Sequence, residues 1–256
     1  MSNQIEKAKK EFNKYLEKYD IKNEQIQKKI AHSYRVAEIS RKIAQGLELP
    51  QKSQDIAELI GLLHDIGRFE QYSKFKNYKV ISEFDHGDFG AELLKEEIRK
   101  YNNEKKYDDI IIKSVKFHNK YEVKGNFTEK EMLFIKLIRD ADKIDILYEC
   151  ANIFWKGKEN IVNASKLSQE IYDDFLKNKI ILIKKDRNYD TIDDMLITLA
   201  YTFDINHKPS YQIIKEQNYI NKTISRFKFQ DIETQKKVNE LIKSLNIFIQ
   251  NKIDKG

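Results

Sequence analysis

Along most of the chain apolar residues recur every three to four positions, the period of a helix with one buried face. Residues 3–18 read as an amphipathic helix, and 23–46 as a stronger one whose stripe holds Val36, Ile39, Ile43 and Leu47. Gly46 and Pro50 end it. The spacing predicts a third helix over 53–66, with Ser53 as its N-cap and Gly67 as its stop. Residues 68–85 keep no clean period and are expected as a loop carrying Phe69, Tyr72, Phe75, Tyr78 and Phe84. Asp85 is placed to cap a helix over 86–101, and another follows over 108–120. Thr128-x-x-Glu131 forms a capping box that opens a long helix to about Tyr148. Beyond residue 155, helices are expected near 163–178, 191–204, 209–222 and 230–253. The run Ile180-Ile181-Leu182-Ile183 is open between a short strand and buried chain.

The fold class this implies is all-α, a helical bundle with additional C-terminal helices. Only two Pro and eight Gly occur in 256 residues, too few for a turn-rich β fold. No Pro/Gly/Ser-rich linker marks a boundary. The expected division is a core over 1–155 and a helical extension over 156–256, with a single domain over 1–256 as the alternative. Charged residues make up 34% of the chain with both signs interspersed, and the net charge is +6. That excess suits an anionic small-molecule partner. There is no Arg-rich arm, and basic runs are as short as Lys184-Lys185, so a nucleic-acid partner is not expected. A single cysteine, Cys150, excludes an internal disulfide and is read as a core residue. No apolar leader and no stretch near ~20 apolar residues is present, so a cytoplasmic protein without a membrane partner is expected.

The candidate chemistry lies in the histidines. There are five. Four of them, His32, His64, His86 and His118, fall in predicted helices or at their ends, in line with apolar neighbours. An imidazole buried without a partner costs about 1–3 kcal/mol. A shared metal satisfies several at once, with Asp65, adjacent to His64, as a carboxylate ligand. A further acid is expected from Arg139-Asp140-Ala141-Asp142-Lys143-Ile144-Asp145. Periodicity leaves Asp140 and Asp142 both open. His207 is read as structural, at a turn. No Walker Gly-rich loop, Cys-x-x-Cys pair or Ser/His/Asp order competes with this set.

His32-Ser-Tyr-Arg-Val, Leu-Leu-His64-Asp65-Ile-Gly and Asp140-Ala-Asp142-Lys-Ile-Asp145 together resemble the HD superfamily of metal-dependent phosphohydrolases, over roughly residues 25–150. The resemblance selects Asp142, the Asp after Ala, as the closing ligand. His86 and His118 resemble the additional ligands of subgroups that hold two metals, such as the bacterial HD hydrolases of diadenosine tetraphosphate. The Gly-Tyr-Pro signature of the HD-GYP phosphodiesterases is missing. The resemblance implies one divalent ion on His32, His64, Asp65 and Asp142, and a second on Asp65, His86 and His118. Mn, Fe, Zn, Ni, Co or Mg would all suit such donors. Asp65, Arg68 and His118 are the candidate catalytic residues. Arg68, Arg35 and Lys143 are candidates for holding substrate phosphate, and aromatics of 68–85 for stacking a base or closing over substrate.

The function implied is hydrolysis of a phosphate ester or phosphoanhydride by a metal-activated hydroxide, in a phosphorylated small molecule such as a nucleotide. The rival readings are a single-metal alarmone hydrolase, a non-catalytic nucleotide sensor, and a helical scaffold whose histidines bind nothing. Metal stoichiometry and turnover separate them.

Overall fold

The computed structural model describes residues 3–79, 83–184 and 186–255. The regular elements among these residues are all helical, with no strand among them. The chain divides into two compact units, 1–142 and 143–256.

The first unit is built around α3 (Gln51–Leu63), which packs against α1 (Asn3–Leu16), α2 (Glu24–Gly46) and α6 (Asp108–Phe117). Its run from Ile56 to Leu63 is buried on every side. The closest pairing is between α2 and α3, and Gly61 makes it possible. A Cβ there would stand 2.7 Å from the Ala37 Cα and 2.8 Å from the Val36 carbonyl oxygen, both α2 backbone. Buried acids on α3 are matched by cations from its neighbours. Arg41 meets Asp55 at 2.8 Å and Glu58 at 2.7 Å, and Lys9 meets Glu58 at 2.9 Å. Such pairing is what allows carboxylates to leave water.

α4 (Ile66–Phe75) and α5 (His86–Tyr101) pack together, and α5 lies on α6. α7 (Glu129–Glu149) begins at the capping box foreseen from sequence. The Thr128 hydroxyl accepts from the Glu131 N–H at 3.2 Å, and the Glu131 carboxylate accepts from the Thr128 N–H at 2.8 Å. Asp85 caps α5 through the Gly87 and Asp88 N–H groups, at 2.9 and 3.0 Å.

Several boundaries differ from the sequence expectation. Ser53 lies inside α3, which begins after Pro50, and Gly67 lies inside α4 rather than ending a helix. The first part of the expected 68–85 loop is therefore helical; residues 80–82 of it lie outside the described residues. α4 hides its period because its buried face is Ile66, Gly67, Phe69 and Gln71, half of which are not hydrophobic side chains. Gly67 is there because α4 nearly touches α5: an added Cβ would collide with the His86 carbonyl.

In the second unit a π-helical turn, Cys150–Phe154, precedes α8 (Glu159–Ala164), α9 (Gln169–Leu176), α10 (Thr191–Leu199), α11 (Lys208–Gln217), α12 (Tyr219–Ile224) and α13 (Ile232–Lys255). The expected helix over 163–178 is two helices, separated where Ser168 turns outward to cap α9. The one over 209–222 is broken by Asn218, in the left-handed conformation at φ 55°. The 180–183 run forms no regular element, and Leu182 and Ile183 are exposed. The core joins Ile171 and Phe175 of α9, Met195 and Leu199 of α10, and Leu241 and Leu245 of α13. Cys150 is a core residue, and burial pushes its thiol up to about 12. No helix among the described residues is long and apolar enough to cross a membrane.

Candidate metal centre

Helix ends of the first unit converge on one point. His64 immediately follows α3, Asp65 precedes α4, His86 opens α5 and His118 follows α6, while His32 and Asp142 project from within α2 and α7. The four imidazoles are buried, none more than 6% exposed. Water cannot solvate them, so they must satisfy one another or a shared partner.

The distances sort into two groups that share one residue. In the first, His32 Nε2 lies 3.2 Å from His64 Nε2 and 3.2 Å from Asp142 Oδ1. Both ring nitrogens lie 3.4 Å from Asp65 Oδ2, and His64 Nε2 is 3.7 Å from Asp142 Oδ1. In the second, His86 Nε2 and His118 Nε2 are 3.1 Å apart and each is 3.3 Å from Asp65 Oδ1. Asp65 thus turns one oxygen to each group. Donors bound at about 2.0–2.2 Å to a common ion stand roughly 3.0–3.5 Å apart, and the donor types are those of borderline divalent metals. The residues fit the ions that the sequence reading called for. It is Asp142, rather than Asp140, whose carboxylate meets His32 and His64.

Two of the rings are oriented from behind. His64 Nδ1 donates to the Gly61 carbonyl and His118 Nδ1 to the Val115 carbonyl, each at 2.7 Å. With that nitrogen carrying the proton, Nε2 presents a lone pair to the cluster, the arrangement by which proteins set the tautomer of a ligating histidine. Asn119 approaches His86 Nδ1 at 3.4 Å.

The charges follow from these contacts. Burial alone would raise the Asp65 carboxyl, but the Lys29 ammonium and the neighbouring His64, His118 and His32 hold it well below the ordinary range. Asp142 is likewise held down against its burial, by His32 and His64. Burial drives His86 well below its usual value, with His118, Arg68 and Lys29 adding to the effect and Asp65 opposing it. Its ring is neutral at neutral pH. His64 goes the other way, since Asp65 and Asp142 outweigh its burial.

Of the cations proposed for phosphate, Arg68 stands beside the cluster, its Nε 3.6 Å from Asp65 Oδ1. Its Nη1 is held by Gln71 Oε1 at 2.8 Å and the Tyr78 carbonyl at 3.0 Å. Arg35 is half-buried on α2. Lys143 belongs to the second unit, where it pairs with Asp204 at 2.7 Å. The sequence reading missed Lys29, whose ammonium lies 2.9 Å from Asp65 Oδ2. The signal was available: Lys29 precedes His32 by three, one turn along the same helical face. Among the loop aromatics, Tyr78 is the one beside the centre, its ring 5.5 Å from the Lys29 ammonium. Phe69 is a core residue packed on Phe12.

Residues 30–147 match the family model of the HD domain. This stretch is an HD domain. No curated protein and no solved structure matches the chain. HD domains form a superfamily of mostly metal-dependent phosphohydrolases. In this HD domain the histidine and aspartate groups able to hold a metal include His32, His64 and Asp142, and His64, Asp65 and His118.

Proposed function

We propose that this protein is a phosphohydrolase with a dinuclear metal centre, acting on a phosphate ester or phosphoanhydride of a nucleotide. The observation that carries the reading is the Asp65 carboxylate, with Oδ2 facing His32 and His64 and Oδ1 facing His86 and His118. A single-ion site has no use for the second pair, which favours this reading over a one-metal alarmone hydrolase. His32, His64, Asp65 and Asp142 would hold one ion, and Asp65, His86 and His118 the other. Bound divalent ions supply Lewis acidity, lowering the pKa of water and stabilising charge on phosphoryl oxygens.

The remaining work falls to the chain's own groups. Lys29 approaches Asp65 Oδ2 and Arg68 approaches Oδ1. Once Asp65 is shared with cations, these two positive groups need another anion, and a phosphate meets that need. The Gln71 and Tyr78 contacts hold the Arg68 guanidinium in place beforehand, so less ordering is required when phosphate arrives. Gly61 and Val115 keep the His64 and His118 protons on the far side of each ring, so neither ring can donate its Nδ1 proton to substrate.

Purified chain loaded with Mn, Fe or Zn and assayed against mono-, di- and cyclic nucleotides and dinucleoside polyphosphates should release phosphate or a nucleotide product. Its metal content should approach two ions per chain. Asp65→Asn should abolish turnover and reduce that content with the helical signal retained. Full turnover in Asp65→Asn would refute the assignment. Tight nucleotide binding without product would convert the reading to a sensor.

A further inference from the structure

A cavity of about 490 Å³ lies within the second unit, between the start of α11 and the last turns of α13. Small-molecule sites typically span about 300–1,000 Å³. Lys208, Lys252 and Lys255 line it together with Tyr211, Phe248 and Asn251. None of these three ammonium groups has a carboxylate partner among the described residues. Elsewhere lysines pair repeatedly with acids, as Lys113 does with Glu131 and Lys120 with Asp85. The acids nearest in sequence are engaged otherwise: Asp204 meets Lys143 at 2.7 Å, and Asp254 accepts from Gln250 at 2.7 Å.

Helix stability does not account for all three lysines. Lys252 and Lys255 near the end of α13 complement the negative end of its dipole. Lys208 does the reverse. It is the first residue of α11, where the dipole favours an anion and disfavours a lysine, and no acid in that first turn compensates. A cation placed against the dipole, on the same cavity as two others, points to a ligand that needs it. The wall beside them is aromatic. Phe248 packs edge-on to Phe203 at 5.0 Å and lies 6.1 Å from Tyr211, whose hydroxyl donates to the Ile205 carbonyl at 2.8 Å and fixes that ring. The Lys252 ammonium stands 5.2 Å from the Phe248 centroid. Asn251 adds an amide that can both donate and accept.

We infer that this cavity binds a nucleotide, its phosphates among Lys208, Lys252 and Lys255 and its base against the Phe248 wall. It is a site distinct from the histidine cluster and does not depend on the reaction proposed there.

Calorimetric titration of the full chain tests this, in a chelating buffer so that no metal-dependent binding contributes. ATP, AMP and inorganic pyrophosphate are the probes. ATP should bind saturably, one per chain, and more tightly than pyrophosphate. Lys208→Glu should weaken ATP about ten-fold or more. That substitution places an acid where the α11 dipole favours one, so a thermal melt should show the fold retained. Lys243→Glu makes the same charge change on α13 at a residue that does not line the cavity, and should alter affinity by less than about two-fold. Absence of saturable ATP binding overturns the inference. So does pyrophosphate binding as tightly as ATP, or an equal loss in Lys243→Glu, which would mean general attraction to a basic chain.

Discussion

Gly61→Ala sets two effects of known size against each other. In an isolated helix the change favours the folded state by about 1 kcal/mol, because alanine is the better helix former. In this structure the new methyl would stand 2.7 Å from the Ala37 Cα, 2.7 Å from the Ser40 Oγ and 2.8 Å from the Val36 carbonyl oxygen. Ordinary contacts of this kind are about 3.5 Å or more. Two of the three neighbours are backbone and cannot yield by changing rotamer, so α2 and α3 must separate by roughly 0.7 Å. Overpacking of this kind costs about 1–3 kcal/mol, and the rigid neighbours place it near the upper end. The net expectation is a loss of about 2 kcal/mol, or a melting temperature lower by about 4–8 °C for a chain of this size. The same displacement spreads His32 from His64, whose Nε2 atoms are 3.2 Å apart, and should weaken metal binding by about ten-fold or more. Thermal melts by circular dichroism and metal titration by calorimetry read the two consequences separately. An unchanged or raised melting temperature would show that propensity outweighs sterics and that α2 and α3 are not in the described contact. A lowered one with unaltered metal affinity would break the link between this contact and the centre.

Three further outcomes follow from the same contacts. Metal at about 100 times its dissociation constant should stabilise the chain by about 2.7 kcal/mol, raising its melting temperature by roughly 5–10 °C, and a chelator should reverse the gain; no shift with Mn, Fe or Zn would remove the case for a centre. Lys29→Met should strengthen metal binding a few-fold by removing a like charge, yet weaken inhibition by inorganic phosphate about ten-fold; parallel changes in both would mean that Lys29 only supports the fold. Asp85 is held below the ordinary aspartate value of 3.8, against its burial, by Lys120, the Asp88 N–H and Asn119. A depressed carboxyl contributes stability that is fully present above its unfolded pKa and fades as pH falls below it. Asp85→Ala should therefore cost about 1 kcal/mol in urea unfolding at pH 7, with the gap to the unsubstituted chain narrowing below about pH 4; a gap that widens on acidification would contradict the cap and its charge.

The sequence by itself determined the helical class, the caps at Asp85 and Thr128–Glu131, and the histidines and carboxylate that gather in the first unit. Each is written in local terms: a period of 3.6, a short polar side chain before a stripe, or a residue pair of restricted chemistry. The HD-domain stretch was visible for the same reason, because each of its short motifs, such as His64-Asp65, is local and sits in or beside a predictable helix. Tertiary structure alone decided the rest. It carried the Asp142 carboxylate to His32 on α2, a contact that periodicity could not assign between Asp140 and Asp142 and that only the family resemblance had pointed to. It placed Lys29 beside Asp65, a contact between residues 36 apart. It turned an aperiodic stretch into α4, since a buried face made partly of Gly67 and Gln71 carries no hydrophobic rhythm and is specified only by the helix packed against it. It also brought the unpaired lysines of α11 and α13 to one cavity. Local order follows from the spacing of residues along the chain, whereas partnership between distant side chains depends on how the helices pack.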